Sequence, residues 1–456
     1  MLLSEPLRSF VEKAPVSVMT AAILERVFDP QTLERVFEEN AQLQYTHELT
    51  FGQVVKIMSD VVYRATPSVN AWYATHGKEL SVRRAAVYDK LNGLELPIGA
   101  ALVRHSADTL LPCLQALPNP PAPLLTGYRV RVLDGNHLAG TEHRIFETRR
   151  LRAAVLPGQA LVFYDPRYDL MDAIVPCENA HAQERSLLDQ ALALVAKDDC
   201  IVADRNFCTT GFLFGLRRRA AYFVIRQHSS TLHATLRGER RLVGADADGR
   251  NLYEQDLFLS EPATGETMTV RRVTIELLKP TQAGEMEIHI LTNLPTTVNA
   301  FSVADLYARR WTIEAGFQQL TVDLECEIDT LGYPRAALFG FSVAVLAYNV
   351  VSLVKNALRA AWGEEYVAEK LSTYYVTLEV ATVTPGLRIA VAAEVWSEFC
   401  TMSVPEFAAL LLKLAQGIDK DKYAKHKRGP KKQTPKKTSG KRQKHHATAK
   451  LLAPSD

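Results

Sequence analysis

Asp134, Asp204 and Glu314 are the residues whose types and places in this chain could do chemistry together. Asp134 closes an apolar β-type run, 128–133 (YRVRVL), and Asp204 closes another, 200–203 (CIVA). Glu314 lies in 307–320, YARRWTIEAGFQQL, where helical spacing puts Tyr307, Arg310, Glu314 and Phe317 on one face. Alone, either aspartate reads as a turn residue or helix cap, and Arg310 with Glu314 reads as a solvated ion pair. Together they predict more. Three carboxylates at one point repel one another unless cations neutralise them, so the cluster predicts a divalent-metal site of hard oxygen ligands. Two Mg²⁺ ions about 3.5–4 Å apart, with Mn²⁺ able to substitute, bind both the attacking and the leaving oxygen of a phosphodiester. The chemistry expected is phosphoryl transfer, with Asp134, Asp204 and Glu314 as catalytic and metal-holding residues.

Those side chains converge only if the elements bearing them are neighbours. Strand-type runs at 128–133, 159–164 and 170–176, a helix over 182–196, a strand at 200–203, a helix over 208–218 and a strand at 222–226 make the order β-β-β-α-β-α-β. In open α/β sheets, functional groups gather at the carboxyl ends of strands where the strand order switches. Asp134 and Asp204 meet there if the first and fourth strands pair. Residues 228–300 interrupt the pattern as a β-rich insertion, and a helix from near Ser302 brings Glu314 back. The catalytic domain is thus expected over 128–227 and 301–360.

Residues 1–111 read as helical. Thr50 and Gln53 form a capping box ahead of Val54, Ile57, Met58 and Val61, and a later helix exposes Arg83, Arg84 and Lys90. This region suits either a helix-turn-helix-like DNA reader or a plain bundle. Five prolines over 112–123 mark a linker, 112–127. A C-terminal helical region, 361–418, is a candidate for dimerisation. The apolar run 338–354 holds Asn349 and two serines and reads as a buried helix, not a membrane span.

The net charge of +2 conceals an asymmetry. Residues 420–450 hold 13 Lys and Arg against one acid, Asp421, so this stretch carries +12 and the rest of the chain −10. The tail 419–456, with Lys431, Lys432, Lys436 and Lys437, is expected to be disordered when free and to bind a polyanion such as nucleic acid, or else only to solubilise. Six scattered cysteines without a C-x-x-C pair indicate neither a zinc site nor a disulfide framework and suit a reducing compartment. The N-terminus shows no signal peptide, and a cytoplasmic, nucleoid-associated location is expected.

The strings LDGNHL around Asp134, ADRNF around Asp204 and Y-x-x-R-x-x-x-E from Tyr307 to Glu314 resemble the DDE transposases of bacterial insertion sequences, of the insertion-sequence-four type. The resemblance covers about 128–350. It implies a ribonuclease-H-like mixed α/β sheet with a β-rich insertion, flanked by N- and C-terminal helical regions. It implies a cut-and-paste transposase, acting as a homodimer on double-stranded DNA at terminal inverted repeats and at the target. It assigns Asp134, Asp204 and Glu314 to metal, and Tyr307 and Arg310 to phosphates near the transposon end. His137 either touches DNA or shapes the turn, and Arg205 either contacts DNA or pairs with an acid. The family places a lysine seven residues after the glutamate, and this chain has Thr321 there, which weakens end binding more than chemistry. Two other classes fit the same residues: a DNA-binding relic that no longer cuts, and a structure-selective nuclease on the same fold.

Overall fold

The computed structural model describes residues 5–46, 48–228, 232, 234–281, 283–426 and 445–453. The N-terminal region is helical: α1 (Glu5–Lys13), α2 (Pro15–Val27), α3 (Pro30–Asn40), α4 (Phe51–Val62), α5 (Val69–His76), α6 (Arg84–Gly93) and α7 (Leu96–Ala116). Helix α4 starts where the capping box requires, with Thr50 Oγ1 accepting from Gln53 N at 3.2 Å and Gln53 Oε1 accepting from Thr50 N at 2.9 Å. Its apolar stripe is fully buried. Helix α7 continues through Pro112, past the expected start of the linker. Leu110, Cys113, Leu114 and Leu117 are all buried around that proline, and this burial outweighs the hydrogen bond it forfeits.

The sheet follows, with β1 (Arg129–His137), the short β2 (Val155–Leu156), β3 (Gln159–Asp165), β4 (Leu170–Cys177), α8 (Leu188–Leu192), β5 (Asp199–Ala203), α9 (Thr210–Arg218) and β6 (Tyr222–Arg226). The insertion supplies β7 (Ala234–Ala245), β8 (Asn251–Ser260), β9 (Thr267–Glu276) and β10 (Glu287–Thr292). The strand order is β4-β3-β1-β5-β6-β10-β9-β8-β7, antiparallel from β4 to β1 and parallel from β1 through β5 to β6. This is a mixed α/β, ribonuclease-H-like sheet. The insertion is no separate layer. Strand β10 pairs with β6, Ile290 opposite Arg226, and so extends the catalytic sheet.

After α10 (Ala300–Ala308) and α11 (Thr312–Val322) comes α12 (Pro334–Trp362). It is the one described helix long and apolar enough to cross a membrane, and its apolar window is wholly buried inside the protein. Asn349 explains its place: the side chain bonds Met171 N (2.9 Å) and Met171 O (2.8 Å) on edge strand β4, and donates to Ser106 Oγ on α7 (2.9 Å). One amide thereby satisfies edge backbone that would otherwise be unpaired. Helices α13 (Glu364–Lys370), α14 (Thr373–Ala390), α15 (Ala393–Thr401) and α16 (Val404–Gln416) follow, with α14 and α15 packed on α2 and α16 on α7 and α12.

The expected free tail is corrected at both ends. Tyr423 is buried and donates its hydroxyl to Glu379, and β11 (His446–Ala447) pairs with β2 ahead of α17 (Thr448–Leu452). Ala447 and Thr448 are buried there, so this short segment has its own packing despite its basic neighbourhood. Lys431, Lys432, Lys436 and Lys437 lie outside the described residues.

Gly316 lets α11 seat closely. A Cβ on it would come within 2.9 Å of Met171 Cε and 3.2 Å of the Tyr348 hydroxyl. Alanine gains about 1 kcal/mol in helix propensity, which offsets displacing the end of a methionine and crowding the Tyr348 hydroxyl, so Gly316→Ala is expected to be near neutral. Gly316→Leu is expected to cost about 1–3 kcal/mol, read by thermal melting, because the added carbons meet Tyr348.

Candidate active site

Register brings the two aspartates together. Leu133 on β1 lies opposite Ala203 on the adjoining parallel strand β5, so the next residues, Asp134 and Asp204, stand level at the same end of the sheet. The Asp134 side chain is 20% exposed and accepts from Gly135 N at 2.9 Å. Burial raises its carboxyl to a pKa of about 6; Arg310 and the Gly135 N–H pull it down, and the charges of Glu184 and Asp204 push it up again.

The helix expected to carry Tyr307, Arg310 and Glu314 on one face is broken. Tyr307 lies in the last turn of α10, Arg309–Trp311 form a 3₁₀ turn, and Glu314 lies in the first turn of α11. A 3₁₀ step inside a helical run often marks strain or function, and here it coincides with the residue that reaches across the site. Arg310 Nη1 donates to Asp134 Oδ2 and Nη2 to Glu314 Oε1, both at 3.1 Å. Its side chain is 7% exposed, and its Nε has no hydrogen-bond partner among the described residues. Burial works against its charge, and Asp134, Tyr307 and Asp204 more than offset that. The Tyr307 hydroxyl is pushed up by burial and by the charge of Asp204, against Arg310 and Arg226, the latter a hydrogen-bond partner.

Arg205 pairs with an acid, Glu285 in the hairpin between β9 and β10, at 3.5 Å; Glu285 also holds Arg226 at 2.5 Å. His137 stands exposed at the end of β1, its backbone opposite Gln159. Thr321 Oγ1 donates to Phe317 O at 3.1 Å within its own helix. Trp72 is buried, with Nε1 on Asp60 (2.8 Å), whereas Trp311 is 60% exposed under the Arg310 guanidinium, 4.3 Å from the ring centroid.

Three residues of the site escaped the sequence reading. Arg226 ends β6 as Asp204 follows β5, so the strand-end rule could have found it. Glu184 lies against Gly135, close enough that a Cβ there would sit 2.0 Å from Glu184 Oε1, and it accepts from Asn206 Nδ2 at 3.4 Å. Nothing in the local sequence marks Glu285, because its partners are 59 and 80 residues away.

Asp134, Asp204 and Glu314 are all hard oxygen donors, the chemistry a divalent cation takes. Among the described residues, however, no three acidic, imidazole or thiol side chains are gathered closely enough to hold an ion. Asp134 and Glu314 are instead joined through one guanidinium. The Arg310 guanidinium is the cation lying between Asp134 and Glu314, so the donor set fits a metal in kind while its closure requires Glu314 to exchange partners.

An α/β sheet of ribonuclease-H-like order with acids at adjoining strand ends defines the class. Residues 125–350, just under half of the chain, match the family model of the transposase DDE domain. The chain thus carries a domain of DNA transposition and recombination, and the match supports a DDE transposase. Among solved structures the chain is similar to a piggyBac transposase in a cryo-EM structure of its synaptic complex with hairpin DNA, at 9% identity and a TM-score of 0.38, covering 83% of this chain and 82% of that one. No curated protein matches it significantly.

Proposed function

We propose that the protein is an insertion-sequence transposase of the insertion-sequence-four type, which binds the terminal inverted repeats of its element, cuts the DNA there and joins the freed end to a target. The observation carrying this reading is the level placement of Asp134 and Asp204 on paired parallel strands, with Glu314 tied to Asp134 through Arg310, inside the segment matching a transposase DDE domain. A divalent cation, Mg²⁺ with Mn²⁺ as substitute, held by Asp134, Asp204 and Glu314 would supply the Lewis acidity that makes water nucleophilic at neutral pH.

The chain's own residues do the rest. Arg310, whose two Nη atoms already bond carboxylate oxygens, binds the scissile phosphate bidentately and offsets its charge. Tyr307, kept protonated by burial, offers a hydroxyl donor beside it. Water bonds to phosphorus, the bond to the 3′ oxygen breaks, and a 3′-OH is left at the element's end. That hydroxyl then attacks the phosphorus of a second phosphodiester, on the opposite strand or in the target, and the bond to that strand's 3′ oxygen breaks, leaving a new 3′-OH there. Thr321, bonded within its helix, brings no charge to the DNA and lowers end affinity more than rate. A homodimer holding two ends, in the bacterial cytoplasm at the nucleoid, completes the reading.

The test is a plasmid with a marker between the inverted repeats flanking this gene, incubated with purified protein and Mg²⁺. Cutting at the repeat ends, lost with a chelator and restored by Mn²⁺, is expected. Repeat binding without cutting would leave a DNA-binding relic, and cutting of branched DNA without repeats would leave a nuclease.

A further inference from the structure

Between β1 and β2 the chain makes an excursion, EHRIFETRRLR over residues 142–152, that the catalytic reading leaves without a task. It follows the end of β1 after the four residues 138–141, and β1 ends at His137, three residues beyond Asp134, at the end of the sheet where the acids lie. The excursion is held down at several points. Thr141 and Val155 form a β-bridge, Glu142 N donates to Asp329 O at 2.8 Å, His143 Nε2 contacts Ala153 O at 3.0 Å, and Ile145 and Thr148 are buried beneath a 3₁₀ turn, Phe146–Thr148. Helix α17 packs on that turn.

A segment anchored this firmly would ordinarily turn apolar groups inward and mixed polar groups outward, and the inward half of that holds here. The outward half is one-sided. Arg149, Arg150 and Arg152 are all exposed, and Arg150 and Arg152 have no ion-pair or hydrogen-bond partner among the described residues. Glu147 is the one acid between Ile145 and Arg152, and the loop's other acid, Glu142, is taken up by Arg144 at 2.5 Å. Phe146 projects beside them, 77% exposed. Helix α6 flanks the loop: its Tyr88 feels the charges of both Arg84 and Arg144, and Arg83 is exposed at the start of that helix. The body outside residues 420–450 is net acidic, so unpaired arginines concentrated on one rigid excursion are not its average surface.

We infer that the excursion 142–152, with the start of α6 beside it, is a phosphate-backbone binding surface for duplex DNA that runs past the catalytic acids. This rests on the transposase reading and adds to it where the duplex lies. Guanidinium forks suit phosphate oxygens, and a platform fixed by backbone bonds and buried side chains places them without losing loop entropy on binding. Contacts of this kind position the duplex and carry no base readout. The surface therefore holds any sequence, and discrimination of the repeat is left to other residues.

The measurement is fluorescence anisotropy of two labelled duplexes of equal length, a repeat end and a scrambled sequence, as a function of salt. The protein would be wild type, the triple variant Arg149→Ala, Arg150→Ala, Arg152→Ala, and the triple variant with lysine at the same positions. Each neutralised phosphate contributes about 0.9 to the slope of log affinity against log salt. The alanine variant is expected to lose at least about tenfold in affinity for both duplexes at moderate salt and to flatten the slope by about 2–3, while the lysine variant keeps the slope. An alanine variant with unchanged slope, or a lysine variant that falls as far as alanine, would overturn the inference. If the wild type binds both duplexes equally, the repeat-specific reading fails, while the change of slope still decides the surface.

Discussion

Asp134→Asn is expected to abolish DNA cleavage, a loss of about 10³-fold or more, while leaving the protein as stable as the wild type or slightly more so at pH 7.5. The activity loss follows from removing the charged oxygen ligand that stands level with Asp204 and is tied to Glu314 through Arg310. The stability result follows from the carboxyl pKa of about 6. Keeping such a group ionised at neutral pH costs the fold about 3 kcal/mol against an ordinary aspartate, and the amide removes that penalty. The substitution loses something too, because Asp134 uses both oxygens, one for Gly135 N and one for Arg310 Nη1, and an asparagine oxygen keeps only one of them. That loss is about 1–3 kcal/mol, so the net gain at pH 7.5 is expected to be small.

The sign reverses in acid. The folded pKa lies above the unfolded one, so the penalty is present above pH about 6, shrinks as pH falls and is gone below pH 4. There the wild type is expected to be the more stable. Melting temperatures of both proteins at pH 7.5 and pH 4, beside the cleavage assay, decide this. Strong destabilisation at pH 7.5 would make Asp134 a structural residue and sink the catalytic assignment.

A carboxylate held against its own solvation is visible in the sequence only as an aspartate closing an apolar run. That much was readable for Asp134 and Asp204, because strand ends are marked locally by the change from apolar to polar residues. Their meeting was conditional on β1 pairing with β5, a contact between segments about 70 residues apart that no local pattern specifies; the register supplies it. The same limit hid Glu285, whose arginine partners come from the turn after β5 and from the end of β6, and Glu184, whose place is set by the space above Gly135. Gly135 has no positive φ to explain it, so its role became legible only with its neighbour present.

Periodicity misled where a tertiary bond bends the chain. Tyr307, Arg310 and Glu314 have helical spacing, and the turn tightens at the residue that reaches Asp134. Composition misled in 445–453, where a few buried residues beside β2 are enough to order a segment in a basic context. The insertion reads as β-rich from its short polar and β-branched stretches joined by turn residues, but that it extends the catalytic sheet through β10 depends on a pairing at long range.

Arg131→Ala is expected to cost the fold about 3–5 kcal/mol and to lower the urea midpoint accordingly. Arg131 lies three residues before Asp134 on the same strand and so faces the opposite side of the sheet. Its side chain is 3% exposed, and every arm is used: Nη2 and Nε hold the two oxygens of Asp172 at 2.6 and 3.0 Å, and Nη1 reaches Asp199 Oδ2 at 3.1 Å and Leu194 O at 2.9 Å. The guanidinium also lies 4.1 Å from the centre of the Phe163 ring. Strands β1, β4 and β5 are thus tied by one side chain at the end of β1 away from the acids. Truncation leaves two buried carboxylates facing each other, with Asp172 keeping Arg129 at 2.5 Å and Asp199 keeping the Ala196 N–H at 2.9 Å. Lysine carries the charge but not the fork, so Arg131→Lys is expected to recover only part of the loss. Replacing Arg131, Asp172 and Asp199 together with apolar residues of similar volume should recover most of it, because the cost lies in the unpaired charges and not in the volume. The contrast with Arg310 is physical: that guanidinium also spans two acids but leaves its Nε without a partner and rests on a half-exposed glutamate, as suits a contact that must open for phosphate. If Arg131→Ala lost less than about 1 kcal/mol, the buried carboxylates would have to be relieved by protonation or water, and the network would not be what holds these strands in register.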